Sequence, residues 1–143
     1  MYIDKNLLQK LREESRENER KRSHVLLHTS IEDPIQSMLF ALQPSTEIGI
    51  HRHSNKTETI CCLKGKMAVI FYEDNGAIDK VYELSPINPI LKFNPSQWHS
   101  YKCLCDDTIG WEIKEGPYVL KDFQIPNWTF KEEAAIGGGK FDY

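Results

Sequence analysis

The chain has 143 residues, 27% of them charged and 40% hydrophobic, and its formal net charge is −3. This length suits one domain with a sizeable core, and the near-neutral charge gives no electrostatic footprint for nucleic acid or an anionic membrane surface. No apolar run is long enough to span a bilayer, and residues 1–10 lack the pattern of a signal peptide. We therefore expect a cytoplasmic protein without nucleic-acid or membrane partners.

The first predicted element is an amphipathic helix. Asp4 can cap its start, and the helix should run from Asn6 to about Glu19. Its apolar stripe covers about one turn, so we expect one end to pack on the protein and the remainder to be solvated. The basic run at residues 20–22 matches the C-terminal end of a helix dipole.

A strand is predicted next, over residues 23–28. Because side chains alternate along a strand, Arg22 and His28 share one face with His24 and Leu26. If that face lines a pocket, Arg22 and His28 become substrate-binding residues that contact an anion or sugar hydroxyl. If it faces outward, they are ordinary surface residues. The sequence leaves both interpretations open.

The following chain reads as short strands separated by turns. Asn75-Gly76 is the strongest hairpin signal. Strands are predicted at 37–42, 59–63, 67–72, 78–84, 90–93, 98–104 and 108–113, with another leading into His51. Eight or nine short strands predict an all-β sandwich or barrel, and a jelly roll fits that number.

A polar cluster in the middle of the chain carries the main functional signal. His51 and His53 are one residue apart, so their imidazoles share one face of a strand. Glu58 lies an odd number of residues after His53, so on a straight strand it would point to the opposite face. It reaches the face of the histidines only if residues 54–56 form a turn or irregularity. With the distant His99, these residues would form a set of three imidazoles and one carboxylate, which suits Fe, Mn, Ni or Zn. The competing interpretation is that the paired histidines lie on a polar surface loop.

A metal held by four protein ligands retains one or two open positions, as catalysis requires. It could polarise a substrate oxygen or lower the pKa of a bound water. A general acid or base is then needed nearby, and His28, Tyr101 and Tyr118 are the candidate catalytic residues. A tyrosine that only packs in the barrel is the alternative for Tyr101.

The cysteines form two pairs, Cys61 with Cys62 and Cys103 with Cys105. Neither pair has the Cys-x-x-Cys spacing of a zinc site, so small buried thiols are the favoured interpretation. Because side chains alternate along a strand, Cys62 shares a face with Glu58, and Cys103 shares a face with His99. A position near the metal therefore stays open for these two thiols.

The spacing of the polar cluster, with Gly65 after it, resembles the first cupin motif, whose two histidines and glutamate hold a metal in a small β-barrel. Residues 94–99 are similar to the second cupin motif and end in its histidine, His99. Asn94 and Ser96 stand where that motif usually has proline and glycine. The resemblance supports the assignment of His51, His53, Glu58 and His99 as metal ligands.

Within the cupins, the chain resembles the WbuC family of cupin-fold metalloproteins from about Arg22 to Phe123. The likeness lies in residues 22–28, 33–39, 41–44, 98–99 and 112–118. It implies a single cupin-type jelly-roll β-barrel with a short N-terminal helix. The implied domains are a helix packed on the barrel (1–21), the barrel with its metal site (22–123) and a C-terminal extension with mobile last residues (124–143).

Two functions follow from this reading. The first is a metal-dependent enzyme acting on a small polar molecule, with isomerisation, epimerisation, hydrolysis and Fe-dependent oxygenation all open. The family takes its name from a polysaccharide (O-antigen) biosynthesis cluster, which implies a sugar or nucleotide-sugar substrate. The second is a cupin that binds a small molecule without turnover.

One divalent transition metal (Fe, Zn, Mn or Ni) is the expected cofactor. The apolar C-terminal residues, including Phe130, are compatible with a homodimer.

Overall fold

A computed structural model describes residues 1–53 and 57–128 of the chain. Within these ranges it contains one helix, α1 (Lys5–Glu17), and ten short strands. The strands are β1 (Arg22–Leu26), β2 (Ile35–Leu42), β3 (Arg52–His53), β4 (Glu58–Lys64), β5 (Met67–Tyr72), β6 (Ile78–Leu84), β7 (Ile90–Phe93), β8 (Trp98–Cys103), β9 (Thr108–Glu115) and β10 (Phe123–Gln124). A 3-10 helix, Leu120–Asp122, precedes β10. The predicted all-β architecture with a short N-terminal helix is confirmed.

Two antiparallel sheets enclose the main hydrophobic core. One sheet has the order β1-β2-β9-β4-β7, and the other has the order β6-β5-β8. Strands β3 and β10 form a separate two-stranded ribbon. Both sheets contribute buried side chains to the core, for example Phe40 and Ile60 from the first and Val69 and Tyr101 from the second. This arrangement confirms the jelly roll, which fits the predicted number of strands and which the resemblance to cupins implied.

Strand β2 is buried on both faces, which explains why its sequence is almost continuously apolar. Phe40 belongs to the core between the sheets, whereas Leu39 and Ala41 pack with Leu11 of α1 on the other side. The helix begins as predicted, because the side chain of Asp4 accepts a hydrogen bond from the backbone N–H of Leu7 at 2.9 Å. The helix ends at Glu17, two residues before the predicted end.

The predicted hairpin between β5 and β6 is confirmed. Glu73 N donates to Ala77 O at 2.8 Å, and Gly76 has φ of 90°, which favours glycine. The turn predicted at residues 54–56, Phe130 and the predicted mobile end lie outside the described residues. The proposed domain boundaries and the homodimer stay predictions.

The half-buried carboxylate of Asp107, just before β9, fastens the C-terminal half of α1 to the sheet. The guanidinium of Arg16 binds both carboxylate oxygens of Asp107, with Nε donating to Oδ1 at 2.8 Å. Gln43 Nε2 also donates to Oδ1, at 2.7 Å. The hydrogen bond from Arg16, with that from Gln43, holds the pKa of Asp107 below its ordinary value of 3.8. The contact therefore predicts a pH dependence of stability.

We expect the wild type to lose more stability on acidification than the Asp107→Asn variant. The pKa of Asp107 is lower in the folded than in the unfolded chain, so its contribution is present above about pH 4 and is lost as the pH falls through the folded pKa. Urea unfolding between about pH 6 and pH 3 measures the difference. Asp106→Asn, at an exposed neighbour, is the control and should behave like the wild type. Equal acid sensitivity of wild type and Asp107→Asn would contradict the prediction.

Candidate metal centre

Three histidine side chains meet inside the jelly roll. His51, His53 and His99 are 2%, 5% and 0% exposed, and one nitrogen of each lies within 4.8 Å of the others. The ring centroids of His51 and His99 are 4.4 Å apart. Strand parity predicted the common orientation of the first two side chains, and the structure adds the third.

Backbone pairing positions these imidazoles. His51 and His99 exchange two N–H···O hydrogen bonds of 3.0 Å, which hold residues distant in the sequence side by side. His53 pairs with Phe123 of β10, and its N–H donates to the carbonyl of Pro95 at 2.8 Å. The segment before β8 and the ribbon β3–β10 thus set the geometry of the group together.

Two of the imidazoles have a defined tautomer. Nδ1 of His51 lies 2.8 Å from the carbonyl oxygen of Gly49, and Nδ1 of His99 lies 2.7 Å from that of Gln97. A carbonyl oxygen only accepts, so each Nδ1 carries a hydrogen, and in a neutral imidazole Nε2 is then the nitrogen that can bind a metal. This is how metal-binding imidazoles are usually oriented by their outer-shell partners.

A buried carboxylate lies beside the imidazoles. Glu58 is fully buried, and its Oε2 is 3.5 Å from Nε2 of His99. Among the described residues, the group whose potential ligand atoms lie within 4.8 Å of one another comprises only the three imidazoles. Glu58 therefore lies at the border of this group. The phenol of Tyr101 is 3.3 Å from Glu58 Oε2 and also 3.3 Å from Oε1 of a second buried carboxylate, Glu112. Tyr101, one of the three predicted acid–base candidates, thus contacts the predicted metal ligand Glu58.

The donor set fits a divalent transition metal. Zn–N bonds are about 2.1 Å, so nitrogens that share one ion lie about 3.0–3.4 Å apart. Nitrogens within 4.8 Å of one another can reach such separations by small ring rotations. Neutral imidazoles with a carboxylate suit Fe, Mn, Ni or Zn.

The predicted residue Tyr118 lies in a crevice next to His53. The crevice is lined by Gln36, His53, Pro95, Lys114, Glu115, Tyr118, Val119 and Asp122. Lys114 is only 5% exposed and pairs with Glu58 across β9 and β4. The crevice therefore places Tyr118 and Lys114 on the side of the imidazole group where His53 lies.

The other two predicted residues lie away from the imidazole group. Nδ1 of His28 is 3.0 Å from the carbonyl oxygen of Ser37, and His28 does not belong to the group. Arg22 is buried and pairs with Leu42 at one end of β2. Gln36, near the other end of β2, pairs with Lys114, the residue opposite Glu58. Six residues of strand span about 20 Å, so Arg22 lies far along the sheet from Glu58. Roles for His28 and Arg22 in substrate binding stay predictions.

Sequence reasoning missed several neighbours of the imidazoles. The ring of Phe123 stacks on His51 with centroids 5.3 Å apart and planes at 19°. Glu112 and Lys114 point into the interior, where they are 1% and 5% exposed. Along β9 they alternate with Trp111 and Ile113, so both point to the same face of the strand. Charged residues on a buried face are unusual, and this pattern could have revealed them. No local signal places Phe123 against His51.

The cysteines lie apart from the imidazoles. The thiol of Cys62 donates to Lys64 O at 3.4 Å, and that of Cys103 donates to Cys105 O at 3.0 Å. Both contacts are at the strand ends opposite Glu58 and His99. Among the described residues, the metal-ligating group includes no cysteine.

We expect one of the four thiols to react rapidly with Ellman's reagent in the native protein. Cys105 is exposed, whereas Cys61, Cys62 and Cys103 are buried. Burial raises the pKa of Cys62 to about 11, so this thiol stays protonated at neutral pH. Cys105→Ser should abolish the rapid phase, and unfolding in guanidinium should expose all remaining thiols. A second rapid thiol in the native protein would contradict the prediction.

Comparison with solved structures identifies the fold. The capsular polysaccharide assembling protein CapF from Staphylococcus aureus aligns with a TM-score of 0.60 and 18% identity, over 76% of this chain and 32% of that one. Oxalate decarboxylase from Lactobacillus farciminis gives 0.59 and 13%, over 76% and 32%. L-ribose isomerase from Cellulomonas parahominis gives 0.55 and 12%, over 69% and 61%. These neighbours are cupins, and this protein has the cupin fold.

The chain belongs to the family described as a domain of unknown function, DUF6016, which matches residues 3–84. It spans about a third of the length of CapF and of the decarboxylase. A comparison with curated proteins gives no significant match. Within the described ranges, no helix has the length and apolar character needed to cross a membrane.

Proposed function

We propose that this protein is a metal-dependent cupin enzyme acting on a small polar substrate, with His51, His53, Glu58 and His99 as the metal ligands. The observation that carries the proposal is the fixed tautomer of two buried imidazoles. Their Nδ1–H groups are directed to backbone carbonyls, so Nε2 is the atom of each neutral ring that would bind a metal. Glu58, 3.5 Å from His99 Nε2, supplies the fourth donor.

A bound divalent metal would supply a Lewis acid for a substrate oxygen or an activated water. Tyr101 is the proposed proton-transfer residue, because its phenol lies 3.3 Å from both Glu58 and Glu112. The phenol has one hydrogen and can donate it to only one carboxylate at a time. Glu112 thereby provides a second acceptor for that proton away from Glu58. Phe123, stacked on His51, helps to exclude water.

We further propose a sugar or nucleotide-sugar substrate in surface polysaccharide biosynthesis, and kinship with the WbuC family. The sequence resemblance over residues 22–123 supports both. Two structural neighbours point the same way, since one is named as a capsular polysaccharide assembling protein and another was solved with L-ribose.

A second candidate is a cupin that binds metal and a small molecule without turnover. The near-complete burial of the imidazoles favours it, since His51, His53 and His99 are at most 5% exposed. A substrate that must reach an open coordination position needs more access than these side chains show.

The test begins with the metal content of untagged protein, measured by plasma mass spectrometry. Metal-free protein is then reloaded with Fe(II), Mn(II), Zn(II) or Ni(II) and incubated with aldoses and nucleotide sugars, with proton NMR as the readout. We expect near-stoichiometric metal and a metal-dependent conversion that falls strongly in Tyr101→Phe. Metal binding without conversion across this panel would favour the binding cupin. Failure to take up any of the four metals would overturn both candidates.

A further inference from the structure

A second pocket lies on the opposite face of the strands that carry the imidazoles. Arg52 sits between His51 and His53, and Trp98 precedes His99, so alternation directs their side chains away from the metal centre. Together with Gln124, they line an open pocket of about 520 Å³. Its other polar and aromatic walls are Asp74, Asn127 and Trp128. We call this the outer pocket.

The walls of the outer pocket are held by contacts with one another. The guanidinium carbon of Arg52 lies 4.1 Å from the centroid of the Trp98 ring, and Arg52 Nε donates to Gln124 Oε1 at 2.7 Å. The indole N–H of Trp98 donates to Asp74 Oδ1 at 3.2 Å. Trp128 meets Trp98 edge-on, with centroids 6.2 Å apart and planes at 75°. A ligand would therefore meet a surface that is already ordered.

The chemistry of these walls indicates the ligand. The pocket offers two indoles, one guanidinium, one carboxylate and two side-chain amides. The guanidinium and the carboxylate balance in charge, so the pocket has no excess positive charge for a phosphate or carboxylate. Flat apolar rings beside both hydrogen-bond donors and acceptors match a ring with one apolar face and hydroxyl groups around its edge.

We propose that the outer pocket is a second ligand site, and that it binds a neutral sugar ring. The C–H face of the sugar packs on the indole of Trp128, and its hydroxyls pair with Asp74 and Asn127. The pocket is on the other face of the ribbon β3–β10 from the imidazoles, so sugar binding there does not require the metal. The inference stands whether or not the metal centre is catalytic.

Tryptophan fluorescence provides a direct readout. Two of the three tryptophans line the outer pocket, and the third, Trp111, packs beneath α1 with its N–H bonded to Ser37 Oγ at 2.8 Å. The Trp111→Phe variant therefore isolates the pocket signal. We titrate metal-free and metal-loaded protein with glucose, galactose, N-acetylglucosamine and L-ribose, and with inorganic phosphate. At least one sugar should give a saturable change in the millimolar range, with the same Kd in both forms.

Two variants locate the binding. Trp128→Ala should weaken the sugar about tenfold or more, as expected for loss of a central aromatic anchor. Asp74→Asn retains the shape of the pocket and should weaken the sugar several-fold, and circular dichroism checks that both variants are folded. The proposal is overturned if no sugar saturates, if both folded variants bind as the parent does, or if phosphate competes. Binding that requires metal would instead place the sugar at the imidazoles and would also overturn it.

Discussion

Replacing His99 with alanine should abolish stoichiometric metal binding. The imidazole is fully buried, and its Nε2 faces the other two imidazoles and Glu58. Loss of an outer-shell partner of a metal ligand costs about 10–100-fold in affinity, so loss of a proposed ligand should cost at least about 100-fold. His51→Ala should behave similarly. Plasma mass spectrometry and competition with a chelator measure the change.

One control variant, one further ligand variant and a melting measurement make this prediction specific. His24→Ala removes an exposed imidazole outside the group and should leave the metal content unchanged. Glu58→Gln retains shape and tests the fourth ligand, with an expected loss of affinity smaller than that of His99→Ala. Metal should raise the melting temperature of the wild type but not of His99→Ala, because a ligand stabilises only a chain that binds it. Equal metal content in wild type and His99→Ala would contradict the assignment.

Adding one methyl group at Gly110 should destabilise the core. A Cβ there would lie 2.1 Å from Cζ and 2.4 Å from Cε2 of Phe40, the residue that pairs with Gly110 across β9 and β2. The ring of Phe40 is fully buried and parallel to that of Tyr101, with planes at 2°, so it cannot simply move aside. Overpacking of this kind costs about 1–3 kcal/mol. We expect Gly110→Ala to lower the free energy of unfolding by that amount in urea titrations.

A double variant tests whether the clash with Phe40 is the cause. Phe40→Leu alone should cost about 1–2 kcal/mol, because it leaves a partial cavity. The smaller side chain makes room for the new methyl group, so Gly110→Ala/Phe40→Leu should cost less than the sum by at least about 0.5 kcal/mol. Additive losses would show that the destabilisation of Gly110→Ala has another origin.

Features of the fold that depend on neighbouring residues could be predicted from the sequence. The alternation of apolar and polar residues marked the strands from β4 to β9 within one or two residues, because parity is a local property. Asp4 and Asn75-Gly76 marked a helix start and a hairpin for the same reason. Strands β3 and β10 were not resolved as separate elements, because each has two residues and depends on its partner.

The candidate site was predictable only in part. His51 and His53 share a face by parity, and His99 was proposed from its resemblance to a motif; the structure brings the three side chains together. Whether Glu58 is a ligand stays a prediction. The contact of Phe123 with His51 and the link from Tyr101 to Glu112 had no local signal, because each joins strands distant in the sequence.

The sequence by itself determined the all-β class, the hairpin, the helix cap and the paired histidines, because each follows from the period of a strand or from the chemistry of a turn or helix end. The jelly roll was implied by the resemblance to cupins. Only the tertiary structure decided that Arg22 lies far along the sheet from Glu58 and that Arg52 and Trp98 line a separate outer pocket. These outcomes depend on strand order and register, which long-range pairing sets and no local pattern encodes.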